Sequence, residues 1–216
     1  MLIERERELD QLAGLIALAG RGQGAIALVC GEAGIGKTSL IRGLFGRMPR
    51  GWRAATGGCD ALFTPRPLGP VRDMAAMLGP DVRELLEKGE RQQLFAAMLE
   101  TISASNSPIL MVWEDMHWAD HATLDLLRFL GRRISLLPLL LVLTYRDDEL
   151  GPHHPLSRVL DELPPHTSDL VPLRRLSPKS VSALARNANL PGDWLYQKTA
   201  GNPFQVNEML AAGQGA

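Results

Sequence analysis

The feature that most constrains this chain is the run Gly31-Glu32-Ala33-Gly34-Ile35-Gly36-Lys37-Thr38, which fits G-x-x-x-x-G-K-[ST]. It follows the continuous apolar run Ala25 to Cys30, which reads as a buried strand of a parallel sheet. It precedes Leu40, Ile41, Leu44, Phe45 and Met48, spaced as one face of a helix that Pro49 and Gly51 are expected to end. A strand, a glycine loop and a helix in that order make a phosphate cradle. The glycines let backbone N–H groups close around phosphate oxygens, and the helix start adds its positive dipole end. Lys37 can reach the β- and γ-phosphates, and the Thr38 hydroxyl can ligate Mg²⁺. Gly31 to Ser39 are therefore the expected nucleotide-binding run, with ATP or ADP and Mg²⁺ as ligands.

The rest of the chain alternates in the same way. Leu9, Leu12, Ala13 and Ile16 recur at helical spacing before Gly20, Gly22 and Gly24. Trp52 to Cys59 is a weaker strand, and Asp60 to Pro70, with Pro65, Pro67 and Pro70, reads as a loop. Val71, Met74, Ala75 and Leu78 mark one helix, and Leu94, Ala97, Met98 and Ile102 another. Met74, Met77 and Met98 read as core filling. Pro108 to Trp113 is a strongly apolar strand. A helix capped by Asp120 follows, with Leu124, Leu127, Leu130 and Ile134 on one face. Leu139 to Tyr145 and Asp169 to Leu173 complete the strands, and only short helical patterns follow Arg174. We expect an α/β core over residues 1–173, a parallel sheet with helices on both faces, and a partial helical lid over 174–216.

Ligands of such sheets bind at the carboxyl ends of the strands. Two features stand there besides the loop. Glu114 and Asp115 follow the Pro108–Trp113 strand, where one carboxylate can hold Mg²⁺ and its neighbour polarise an attacking water; adjacency alone does not divide the roles. Arg146 follows the Leu139–Tyr145 strand, where a cation can act on a γ-phosphate or pair with Asp147 or Asp148. Lys37, Glu114, Asp115 and Arg146 are thus the candidate catalytic groups, and Thr38, Glu114 and Asp115 the candidate metal ligands. His117, His153, His154 and His166 show no metal-ligand spacing, although His117 lies close to the acids.

These segments together resemble the STAND-class, AAA-related ATPase domain found near the front of large ATP-binding LuxR-type regulators. The resemblance rests on Leu2 to Leu9, GEAGIGKTSL, VWEDMHWAD (Val112 to Asp120), LLLVLTYRDDEL and TAGNPFQVNEML (Thr199 to Leu210). It implies a P-loop NTPase three-layer sandwich with a five-stranded sheet, in which the strand before Arg146 lies between the other two motif strands. It implies that Arg5 and Glu8 sit near the adenine, that Arg146 is a sensor arginine, and that Gly201-Asn202-Pro203 belongs to a lid closing on the nucleotide. Where the family usually has Gly before the arginine, this chain has Glu4. The family's larger regulators continue with winged-helix, sensor and DNA-binding modules, none of which is read before Ala216.

Composition narrows the function classes. The chain has 216 residues, 45% hydrophobic and 22% charged, enough for a full core without staples. With a formal net charge of −1 and no helix-turn-helix bearing a basic face, direct nucleic-acid binding by this stretch is not expected. Cys30 and Cys59 read as reduced thiols. The start of the chain lacks an apolar leader and no run is long enough to span a bilayer, so a cytoplasmic protein is expected. A slow ATPase switch leads the functional readings. A platform that binds nucleotide and self-associates without useful turnover comes second. A small-molecule phosphotransferase comes last, for want of an acceptor-site signature.

Overall fold

The computed structural model describes residues 2–64 and 66–213. Ala25–Cys30 forms β1, Arg53–Gly58 β2, Ile109–Glu114 β3, Leu139–Tyr145 β4 and Ser168–Pro172 β5. All neighbours pair in parallel, in the order β2-β3-β4-β1-β5. The expected parallel five-stranded sheet is therefore present, with β4 between the two other motif strands. β1 and β4 are buried at every position, which their unbroken apolar runs require once helices cover both faces.

Two clusters sandwich the sheet. On one face Leu9, Leu12 and Ile16 of α1 (Glu6–Ala19) pack with Leu40, Ile41 and Leu44 of α2 (Lys37–Phe45) against the small and branched residues Ala27, Val29, Val112 and Val142. On the other face lie α3 (Gly69–Leu78), α4 (Pro80–Lys88), α5 (Arg91–Ser103), α6 (His121–Gly131) and α7 (Pro155–Asp161). Met74 and Met98 fill that core and are fully buried. Three helices follow β5: α8 (Pro178–Asn187), α9 (Gly192–Thr199) and α10 (Pro203–Gly213). They share a smaller core of Leu176, Val181, Ala185, Leu195 and Val206.

Some boundaries differ from the sequence expectation for identifiable reasons. Pro70 belongs to the first turn of α3, where its missing N–H has no helical partner to lose. Pro65, expected in the preceding loop, lies outside the described residues. α2 ends at Phe45, short of Pro49, and Met48 follows it in the connecting turn. Ile134 falls in a separate short 3₁₀ turn after α6, yet it is buried as expected. α4, not among the helices expected, places Val82 and Leu86 in the core with Leu85 partly buried beside them. Cys30 and Cys59 are both buried and unpaired, and burial pushes the Cys59 thiol up to about 12. Among the described residues no helix is long and apolar enough to cross a membrane.

Candidate functional site

The phosphate loop joins β1 to α2 at the carboxyl edge of the sheet. Gly31, Gly34 and Gly36 have φ of 145°, 75° and 103°, a range that side chains disfavour. The tight requirement is at Gly34, where a Cβ would stand 2.7 Å from Phe204 Cβ and 2.9 Å from Asn202 Oδ1. Lys37 is buried, and its ammonium donates to the Gly31 carbonyl at 2.6 Å and the Glu32 carbonyl at 3.1 Å. Burial lowers the Lys37 pKa, and the Asp115 carboxylate opposes that shift.

Lys37, Thr38, Ser39, Asp115, Arg146 and Pro203 line one cavity of about 340 Å³, with Ala33 to Gly36 as its floor. The structure thus brings together the loop, one of the two acids and the arginine. Glu114 reaches the same place from β3: the Thr38 hydroxyl lies 3.4 Å from Glu114 Oε1. Asp115 takes a left-handed backbone, φ 55°, and its N–H donates to Thr144 Oγ1 of β4 at 3.1 Å. Among the described residues no group of three or more His, Cys, Asp or Glu could hold a metal. Mg²⁺ binds through one or two protein oxygens together with phosphate and water. The pair Thr38 and Glu114 supplies such oxygens.

A second, more apolar cavity adjoins the first and shares Ile35, Gly36, Ser39 and Pro203 with it. Leu2, Ile3, Leu176 and Leu184 supply its apolar surface, and Arg5 its cation. Arg5 is buried, donating to the Ile35 carbonyl at 3.1 Å and the Arg174 carbonyl at 2.7 Å. It ties the N-terminal segment, the loop and the end of β5 together. Glu8 faces a different groove, beside Arg174 and Arg175. Glu4 has φ 55°, which accounts for the glycine usual at this place. Its carboxylate accepts from Ser177 N–H at 2.8 Å, from Ser180 Oγ at 2.6 Å and from Ser177 Oγ, at the start of α8.

Several functional contacts join residues that sequence reasoning did not connect. Glu32, the first variable position of the loop, receives Arg175 at 2.8 and 2.5 Å and Asn202 Nδ2 at 2.8 Å. Asn202 also donates to the Ala33 carbonyl at 2.9 Å, and Phe204 N–H to the Gly34 carbonyl at 3.1 Å. The Arg175 bond, then Asn202, keeps the Glu32 carboxyl below its ordinary value against the opposing effect of burial. Arg146 pairs with Glu149, at 2.5 Å, rather than with Asp147 or Asp148. No local motif marks Arg175 or Glu149, because each meets its partner only after folding or after a turn.

Burial lowers the pKa of His117, while Glu149 pulls it back up. His154 Nδ1 accepts from Leu156 N–H to cap α7, which leaves Nε2 to carry the proton toward the His117 carbonyl, 3.1 Å away. His117 and His154 therefore tie the segment after β3 to α7.

Known proteins share this architecture. The AAA ATPase domain family matches residues 1–142. An uncharacterized protein of Rhizobium meliloti (strain 1021) is 29% identical over an alignment of 189 residues that takes in 67% of this chain and 18% of that protein. A STAND protein with a tetratricopeptide repeat sensor from Pyrococcus horikoshii is 22% identical, with a TM-score of 0.59, over 97% of this chain and 30% of that one. The Aeropyrum pernix Orc1 protein, solved in complex with DNA, is 19% identical with a TM-score of 0.63, over 100% of this chain and 61% of that one. The chain thus spans less than a fifth of the Rhizobium relative and under a third of the Pyrococcus protein. At these identities the solved structures show the shared P-loop NTPase fold, while the family match extends over most of the chain. This chain belongs to the AAA ATPase domain family.

Proposed function

We propose that this chain is the ATP-binding, slowly hydrolysing core of a STAND-type signalling switch, with residues 1–173 as the ATPase core and 174–216 as a partial lid. The observation that carries the reading is the meeting of Thr38 and Glu114, 3.4 Å apart, beside a cavity lined by Lys37, Asp115 and Arg146. In this reading Thr38 and Glu114 hold Mg²⁺, which neutralises charge on the phosphates. Lys37 turns from the loop carbonyls to the β- and γ-phosphates. Asp115, fixed through its N–H by Thr144, polarises the attacking water. Arg146 contacts the γ-phosphate. The apolar cavity beside Arg5 and Pro203 takes the adenine, between the N-terminal segment and the lid. The resemblance to ATP-binding LuxR-type regulators and the fold shared with the Pyrococcus STAND protein support the switch role.

The test is phosphate release from Mg·ATP by the wild-type chain, Asp115→Ala and Lys37→Ala. Wild type is expected to release phosphate slowly. Asp115→Ala should still bind ATP but lose at least about 100-fold in turnover. Lys37→Ala should lose ATP binding. Equal turnover in wild type and Asp115→Ala would overturn the hydrolytic reading. A second reading, a platform that self-associates with bound nucleotide, draws on Leu62 and Phe63, which are exposed in the loop after β2. A nucleotide-dependent rise in mass without phosphate release would favour it.

A further inference from the structure

The segment that follows β4 gathers a cluster around Arg146. Glu149 Oε1 lies 2.5 Å from Arg146 Nη1, and Glu149 Oε2 lies 3.5 Å from His117 Nε2. The His117 ring is buried against Trp118, with ring centres 4.4 Å apart. The Arg146 guanidinium carbon lies 5.2 Å from the centre of the same Trp118 ring. Arg146 is therefore held by a carboxylate and by an aromatic face while it lines the cavity of Lys37 and Asp115.

We propose that Glu149 is a positioning residue for Arg146, presenting the guanidinium to the γ-phosphate of ATP; this rests on the reading that the cavity takes the triphosphate. A guanidinium carries five N–H donors in one plane. The contact with Glu149 uses one nitrogen and, together with the Trp118 face 5.2 Å away, restricts the guanidinium, which leaves donors on the other nitrogens for a phosphate. An unheld arginine would lose rotamer freedom on meeting the phosphate, whereas a held one loses little. The Glu149 carboxylate also offsets the repulsion between the Arg146 and Lys37 cations, which share one cavity. Trp118, set by the turn after Asp115, lies against the guanidinium, and the buried His117 ring stands 3.5 Å from the far oxygen of Glu149. The same turn thus connects Asp115, proposed to face the water, with Arg146, proposed to face the γ-phosphate under attack.

The experiment measures Mg·ATP turnover, and ATP and ADP affinities by calorimetry, for wild type, Glu149→Ala, Glu149→Gln, Arg146→Ala and the Arg146→Ala/Glu149→Ala double variant. Glu149→Ala is expected to lower turnover roughly tenfold and to narrow the preference for ATP over ADP, since misplaced groups cost rate without abolishing binding. Its ADP affinity should stay at the wild-type value. Glu149→Gln, whose amide oxygen still accepts from Arg146, should recover most of the loss. The double variant should be no worse than Arg146→Ala. If Arg146→Ala is impaired and Glu149→Ala is not, the positioning role fails and the triphosphate reading stands. If Arg146→Ala matches wild type in both turnover and ATP preference, the γ-phosphate role of Arg146 fails and the inference with it. A parallel fall in ADP affinity and melting temperature for Glu149→Ala would mark a structural residue and also overturn it. Should wild type release no phosphate, the ratio of ATP to ADP affinity decides the question by itself.

Discussion

At the residue scale the most demanding position is Asp115. Its backbone sits in the left-handed region, φ 55°, a conformation that costs about 1–3 kcal/mol for most non-glycine residues. Asp tolerates it better than most because its short polar side chain bonds locally. The conformation is held from the next strand, where Thr144 Oγ1 accepts the Asp115 N–H. Thr144→Val keeps the shape of that side chain and removes the acceptor. Phosphate release is then expected to fall roughly tenfold through misplacement of the carboxylate, while ATP affinity stays within about twofold. Paired turnover and calorimetric titration check it. Gly31 to Thr38 could be read directly from the chain because the phosphate cradle is one contiguous run. Glu114 and Asp115 were visible because they end an apolar strand. The roles of Thr144 and Glu149 were not, since nothing in their own neighbourhoods says what lies across the sheet or beside the next turn.

At the element scale Asp120 shows a local signal with a longer reach. Its place before an amphipathic run marks it as a helix cap, and Oδ1 does accept from Ala122 N–H at 2.8 Å and Thr123 N–H at 3.1 Å. Oδ2 also accepts Leu68 N–H at 3.0 Å, which anchors the entry to α3. Loss of a cap costs about 1 kcal/mol, and an orphaned, partly buried N–H about 1–3 kcal/mol more. Asp120→Ala is therefore expected to destabilise by about 2–4 kcal/mol. Asp120→Asn should lose less than half of that, as urea unfolding of the two variants will show. Long elements with a clear apolar period were legible. α7, seven residues long, was not, because its stability comes from packing rather than from its own pattern.

At the scale of the whole molecule, the N-terminal segment meets the stretch that leads from β5 into α8. Glu4 reaches Ser177 and Ser180 across more than 170 positions, and Arg5 reaches Ile35 and Arg174. Burial raises the Glu4 pKa, but the bonds from Ser177 and Ser180 outweigh it and hold the carboxyl below its ordinary 4.5. A lowered folded-state pKa means that the ionised group stabilises the fold above the unfolded value. That contribution fades as pH falls below about 4.5 and through the lower folded value. Glu4→Gln is expected to melt below wild type at pH 7, with the gap closing on acidification through that window. Thermal scans of both chains across pH 7 to 3 test it, and a gap constant with pH would refute the role of the charge. The Glu4 contacts were not legible from sequence, because they join segments that no local pattern relates; the resemblance implied only that Arg5 lies near the adenine and that a lid closes at Gly201 to Pro203. Phe204 and Asn202 come within 2.7 and 2.9 Å of where a Cβ on Gly34 would be, and they bond the loop through its own carbonyls. If the loop holds phosphate as proposed, holding phosphate and holding the last helices are linked equilibria. Thermodynamic reciprocity then applies: whatever factor the nucleotide adds to the docking of α10, a partner that pulls α10 away must subtract from nucleotide affinity. In the proposed switch, a partner acting on α10 would thus be read as release of nucleotide without ever touching the site.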